Sequence, residues 1–178
     1  KINFGLRIVA RRSDGYHEIE TIFLPLDLCD DISVDWNAGP EIELQVSGAE
    51  LPLGSANLAV RAARAAAEAL GLHRGVTISL HKRIPVAAGL GGGSSNAATT
   101  LLAVERLAER SLPEALRHEL ALAMGADVPF FLNPEPALGR GVGELLTPLL
   151  GIPALCWMLV AFPFRVSTPD GYREESAR

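Results

Sequence analysis

Cysteine, lysine, tyrosine and tryptophan each occur only twice in 178 residues. Cys29 and Cys156 are too few to staple a small secreted scaffold and have no metal-ligand spacing. A disulfide framework and a structural metal site are therefore excluded, and two buried free thiols are expected. Positive charge is also short: 16 Lys and Arg stand against 21 Asp and Glu, for a net charge of −5. A general nucleic-acid binder needs a basic face to neutralise phosphates, and this chain lacks one. The longest apolar run, Ala154 to Phe162, falls well short of the ~20 residues that a bilayer span needs. No membrane partner is therefore expected. There is no internal repeat, low-complexity tract or long linker. No leader segment is legible, so cytoplasm is the expected compartment. The chain opens on Lys1 without a methionine and closes on Tyr172-Arg173-Glu174-Glu175-Ser176-Ala177-Arg178, which reads as the start of a helix. Both ends read as cut, and the oligomeric state is left open.

Glycine, by contrast, is concentrated. Pro85-Val86-Ala87-Ala88-Gly89-Leu90-Gly91-Gly92-Gly93-Ser94-Ser95-Asn96-Ala97-Ala98 places four glycines in five positions directly before an alanine-rich helical pattern. A backbone so free of side chains can wrap a bulky anion and turn its N–H groups toward it. The helix behind adds the positive end of its dipole. The guest this favours is a phosphate chain. Neither common nucleotide fingerprint fits: no lysine follows the glycines as in a Walker A loop, and Ser94 stands where a dinucleotide loop needs its third glycine. Glu105 and Glu109 come too early to bind a ribose and read as helix surface.

Along the chain, residues 2–9 alternate as a strand. Asp14-Gly15 is a two-residue hairpin signal before a second strand from Tyr16 to Leu24. Residues 32–36 and 42–46 are further strands around an Asn37-Ala38-Gly39-Pro40 turn. Asn57 to Leu70 is a helix, capped by Ser55 or Asn57 and stopped by Gly71. Val76 to Leu80 is a strand, and a helix runs from about Ser94 to Glu109. Pro113 opens another, which Gly125 closes. Asp127-Val128-Pro129 reads as the cap and first turn of a short further helix. Leu155 to Phe162 reads as a buried strand, and Ser167-Thr168-Pro169 as a helix start. Strands first and helices later, with mixed connections, predict an α+β fold with a boundary near Gly151-Ile152-Pro153.

Several residues can do chemistry. Asp127 is a candidate acid or base, and equally a plain helix cap; a capping carboxylate is held ionised and can still orient a hydroxyl. Lys1 and Asn3 share a strand face, although a frayed terminal lysine is the plainer reading of Lys1. Tyr16 and His17 suit a nucleobase, one stacking and the other bonding to an edge, and read equally as ordinary strand residues. Lys82 and Arg83 precede the glycines and can touch phosphates, or form a solvated pair. Gly139-Arg140-Gly141-Val142-Gly143-Glu144 reads as a loop or hairpin.

Together these segments resemble the GHMP kinase superfamily, the small-molecule kinases named for galactose, homoserine, mevalonate and phosphomevalonate. The resemblance rests on Lys1-Ile2-Asn3 with Arg11-Arg12-Ser13-Asp14-Gly15-Tyr16-His17, on the glycine run through Ala98, and on Leu122-Ala123-Met124-Gly125-Ala126-Asp127-Val128-Pro129-Phe130-Phe131 with the second glycine cluster. The first and third segments are most similar to the branch acting on a cytidine diphosphate-linked methylerythritol in the non-mevalonate isoprenoid route. The resemblance implies a two-domain fold: residues 1–150 form the ATP-binding domain, and 151–178 only begin a second. It implies transfer of the ATP γ-phosphoryl group to the substrate 2-hydroxyl, with Mg2+. Asp127 is then the catalytic carboxylate and Lys1 its partner. Gly89, Leu90, Gly91, Gly92, Gly93, Ser94 and Ser95 hold phosphates, with Asn57 and Lys82 along the nucleotide pocket. Tyr16, His17 and Tyr172 recognise cytosine, and Asn3 and Thr168 hold the methylerythritol end. The alternatives are another kinase of the superfamily, or a non-catalytic nucleotide-binding fragment.

Overall fold

The computed structural model describes residues 1–160. In chain order the elements are β1 (Ile2–Arg11), β2 (His17–Leu24), β3 (Asp31–Trp36), β4 (Glu43–Ser47), α1 (Leu58–Leu70), β5 (Val76–His81), α2 (Gly92–Leu107), α3 (Glu114–Met124), a 3₁₀ turn (Pro129–Leu132), β6 (Ala137–Arg140) and β7 (Leu145–Pro148). They form two compact units that alternate along the chain. One gathers residues 1–27, 85–91 and 134 onward; the other gathers 28–84 and 92–133. Strands and helices combine as the α+β reading expects. Thr168, Tyr172 and the helix start at Ser167 lie outside the described residues.

The first unit is an antiparallel sheet in the order β1-β2-β6-β7. Its tightest point is Phe23 on β2, which is fully buried. A Cβ at Gly139 on β6 would stand 2.4 Å from the Phe23 ring, so glycine there lets the next strand close over it. Glu20 on β2 ties three strands, accepting from Arg7 on β1 at 2.8 Å and Arg140 on β6 at 3.0 Å. The β1–β2 hairpin has a wider connection than two residues. Arg12 N–H donates to the Tyr16 carbonyl at 2.8 Å and Gly15 N–H to the Arg12 carbonyl at 3.2 Å. The Asp14 carboxylate sets that width, accepting from the Tyr16 N–H at 3.1 Å and the Arg12 guanidinium at 2.8 Å. The second glycine cluster forms the β6–β7 hairpin. Gly141 and Gly143 there take positive φ, and the Val142 N–H donates to Glu144 Oε2 at 2.7 Å.

The second unit pairs β3 antiparallel and β4 parallel with the central β5. Ile32, Val34, Leu44, Val46, Ile78 and Leu80 pack into its core, while alternate residues such as Ser33, Gln45 and Ser79 occupy the other side. The core includes helices that approach closely because their facing residues are small. Ala59, Ala62, Ala63 and Ala66 recur at helical spacing on α1 and are completely buried, as are Ala97, Ala98 and Leu101 on α2. Asn57 is the cap of α1: its Oδ1 accepts from the Ala59 N–H at 2.9 Å, and Gly71 ends the helix in the left-handed conformation at φ 64°.

Four readings need correction. Helix α2 begins at Gly92 rather than Ser94, and ends at Leu107 before Glu109, whose φ is +51°. A Cβ at Gly92 would meet the Ile84 and Lys82 side chains at 3.1 Å, so glycine lets the helix start in that tight place. Glu105 is buried rather than on a helix surface; its carboxylate accepts from the Leu112 N–H at 2.5 Å and from Arg117 Nε at 2.8 Å. Both cysteines are free, as expected, but exposed. The described part of Leu155–Phe162 forms no strand, and Leu155, Met158 and Val160 are exposed. An apolar run becomes a strand only where a neighbour takes its backbone hydrogen bonds.

Candidate functional site

The glycine run is divided between the units, with Pro85–Gly91 in the first and Gly92 onward in the second. Its backbone alternates. Ala87, Gly89 and Gly91 have φ of +59°, +74° and +72°, while Ala88 and Leu90 between them do not enter the positive region. Alternating conformations of this kind build the concave N–H arrays that bind anions. Ala87 pays a steric cost there that glycine does not, and such strain concentrates at functional sites. A Cβ at Gly89 would meet nothing within 4 Å, so the backbone at that point is open as well as bare.

Within the first unit, Lys1 lies against this run. Its backbone nitrogen donates to the Leu90 carbonyl at 3.1 Å and its Nζ to the Gly89 carbonyl at 3.4 Å. The Nζ also donates to Asn3 Oδ1 and sits 5.2 Å from the Phe23 ring centroid, a cation–π contact. Asn3 in turn donates to Thr21 Oγ1 at 3.4 Å. Lys1 is 7% exposed, so it is a held cation and not a frayed terminus. Tyr16 and His17 are at the other end of the hairpin, where His17 pairs with Arg11 while Ile2 pairs with Leu24. That separation is on the order of 30 Å for a fully extended β1. The Tyr16 ring is exposed in the turn and His17 is half-buried.

Within the second unit, Gly92, Gly93, Ser94 and Ser95 are the first turn of α2. Their N–H groups have no acceptor within the helix, and no acidic residue lies there to compete for an anion. Lys82 and Arg83 do not form a solvated pair. Lys82 is buried and bonded to the Asp30 carboxylate and to Asn96 Oδ1, the latter at 3.2 Å. Arg83 is exposed and paired with Asp31 at 2.9 Å. Asn57 uses its side chain on the α1 cap and on the Pro52 carbonyl at 3.0 Å. Asp127 is half-buried in the turn before the 3₁₀ segment, which packs against α2. It is not the cap of that segment: the cap position is Val128, with no side-chain cap bond.

The sequence reading missed Asp30. Its side chain is 1% exposed and accepts four hydrogen bonds. Burial pushes its carboxyl pKa up, but the bonds from Lys82, the Ile84 and Arg83 N–H groups and Asn96 outweigh this and hold it below the ordinary value. The signal was an acidic pair ahead of a strand, which reads as a solvated strand end and carries no spacing to betray its partners.

Comparison with known proteins gives this geometry its setting. Residues 57–134 match the family described as GHMP kinases N terminal domain. The chain is 43% identical, over 98% of its length, to 4-diphosphocytidyl-2-C-methyl-D-erythritol kinase of Alkaliphilus metalliredigens. It is 45% identical, over 97% of its length, to the protein of the same name from Deinococcus radiodurans. It spans 60% and 58% of those two proteins. A crystal structure of 4-(cytidine 5'-diphospho)-2C-methyl-D-erythritol kinase superposes with a TM-score of 0.70 at 47% identity, covering 83% of this chain and 52% of that one.

Proposed function

We propose that the chain is a GHMP kinase, whose N-terminal domain it matches over residues 57–134, and that it phosphorylates the 2-hydroxyl of 4-diphosphocytidyl-2-C-methyl-D-erythritol at the expense of ATP, the activity named for relatives 43% and 45% identical to it. The observation that carries this reading is the glycine run, whose alternating backbone leads into an α2 first turn free of acidic side chains, with a held lysine on its Gly89 carbonyl.

In this reading Gly89 to Ser95 take the ATP phosphates through backbone N–H groups and the two serine hydroxyls. Asn57 and Lys82 serve the nucleotide pocket from behind, one capping α1 and the other ion-paired to Asp30. Bound with the nucleotide, Mg2+ would supply charge neutralisation on its phosphates. Among the described residues no three His, Cys, Asp or Glu side chains group as metal ligands, so no protein ligand is assigned. The substrate hydroxyl oxygen forms a bond to the γ-phosphorus as the bond to the β-bridging oxygen breaks. ADP leaves, and the hydroxyl proton passes to Asp127. A carboxylate is a weak base, which suffices because positioning and charge stabilisation dominate phosphoryl transfer. Lys1 offsets charge on the transferring group. Tyr16 and His17 take the cytosine, with Tyr172; Asn3 and Thr168 take the methylerythritol end. Residues 1–150 are the ATP-binding domain and 151–178 begin the next, in keeping with the greater length of the relatives. The cytoplasm is the proposed compartment.

The test supplies full-length protein with Mg–ATP and, in turn, the cytidyl substrate, homoserine and mevalonate. ADP release is expected with the first alone; release only with another acceptor overturns the assignment, and ATP binding without release supports a non-catalytic role. Asp127→Asn is expected to lower kcat at least ~100-fold with ATP affinity retained. Unchanged turnover removes Asp127 from the mechanism.

A further inference from the structure

We propose that Asp30 is a positioning residue whose single buried carboxylate fastens both stems of the glycine run, Lys82 to Ile84 before it and Asn96 after it, so that the run is closed before a nucleotide arrives. The proposal rests on the reading of the run as a nucleotide-phosphate site.

Each oxygen of Asp30 has a distinct job. Oδ1 accepts the backbone N–H groups of Arg83 and Ile84, both at 2.8 Å, at the last residues before the run. Oδ2 accepts from Lys82 Nζ and, at 2.9 Å, from Asn96 Nδ2, in the helix that the run enters. Lys82 Nζ then donates to Asn96 Oδ1 at 3.2 Å and completes a triangle of side chains. A Cβ at Gly92 would meet the Ile84 and Lys82 side chains at 3.1 Å, so the two stems also touch directly. The leading stem has a second tether, since Arg83 Nε donates to the Cys29 carbonyl at 2.9 Å.

Burial of an ion pair is a poor source of net stability, because desolvation consumes most of the attraction. What this one does supply is direction. Three polar side chains in fixed geometry specify where the stems lie in a way that an apolar cluster of equal volume would not. With both stems fixed, most of the ordering cost of residues 85–95 is met at folding, and binding is spared it. Lys82 thereby acts on the phosphates through the stems and not by contact.

The test compares full-length wild type with Asp30→Asn and Asn96→Ala. Asparagine at 30 can still accept from the Arg83 and Ile84 N–H groups but turns an NH2 toward Lys82 and Asn96, so it cuts the link between stems. The KM for ATP of the folded fraction is expected to rise about tenfold in Asp30→Asn and about threefold in Asn96→Ala, with kcat within about twofold, as the competent conformer becomes less populated. Amide exchange without nucleotide should accelerate across residues 85–95 by more than the uniform increase that lower global stability brings to α1 and β5. A purely structural role would lower the folded fraction and speed exchange to the same extent everywhere while leaving KM alone, and that result overturns the proposal. If Asp30→Asn does not fold, Asn96→Ala, which keeps the Asp30–Lys82 pair, decides. A wild type that binds no ATP overturns the phosphate reading instead; the exchange measurement needs no nucleotide and still shows whether Asp30 closes the run.

Discussion

Gly139 shows how a single residue governs the first unit. Its missing Cβ is the space taken by the Phe23 ring, 2.4 Å away, and Phe23 is fully buried, so the ring cannot swing aside. Gly139→Ala is therefore expected to destabilise the protein by about 1–3 kcal/mol through overpacking, read as a lower denaturation midpoint at unchanged slope. Unchanged stability would mean the β2–β6 pair can spread. The motif reading found Gly139 as part of a glycine cluster but gave no reason for that particular glycine, because the reason is an aromatic ring 116 positions earlier in the chain. Asp127 is similar. Its type and motif were legible, but the cap role they offered is not the one it takes, since the structure makes Val128 the cap position of the following turn.

At the scale of elements, α1 was the most legible. Alanines at helical spacing, an asparagine before them and a glycine after them are local signals, and all three hold. Asn57→Ala removes the Oδ1 acceptor of the Ala59 N–H and the bond to Pro52, and about 1 kcal/mol of stability is expected to go with them. Thermal unfolding checks this, and Asn57→Asp, which keeps the acceptor but loses the donor to Pro52, should recover only part of the loss. The start of α2 was misread by two residues because Gly92 and Gly93 look like loop, whereas the helix begins at Gly92, where Ile84 and Lys82 leave little room for a Cβ. The run after Leu155 was misread for the opposite reason. Its composition suits a strand, but a strand also needs a neighbour to pair with, and hydrophobicity cannot supply one.

The response of the whole molecule to acid depends on a few carboxylates held below their ordinary pKa. Asp14 is held by the hydrogen bond from Arg12 and Glu20 by that from Arg140, both at exposed positions where solvent screens the gain. Asp30 is the buried case. Its folded pKa lies below the unfolded value near 4, so its stabilisation is complete above about pH 4 and is lost as the pH falls through the folded pKa. Asp30→Asn should thus be less stable than wild type at neutral pH by about 3 kcal/mol, and the gap should close below about pH 4 in denaturant titrations. A constant gap would place the acid response elsewhere. The sequence by itself determined the fold class, most element positions and the bare, glycine-rich backbone ahead of α2, because periodicity, caps and glycine clusters act over a few neighbouring residues. Only tertiary structure decided that Lys1 meets the Gly89 carbonyl, that Glu105 is buried, and that Asp30 joins residues 82 and 96. Those pairings depend on which distant segments share a core, and a buried carboxylate and a solvated one are the same letter until that core exists.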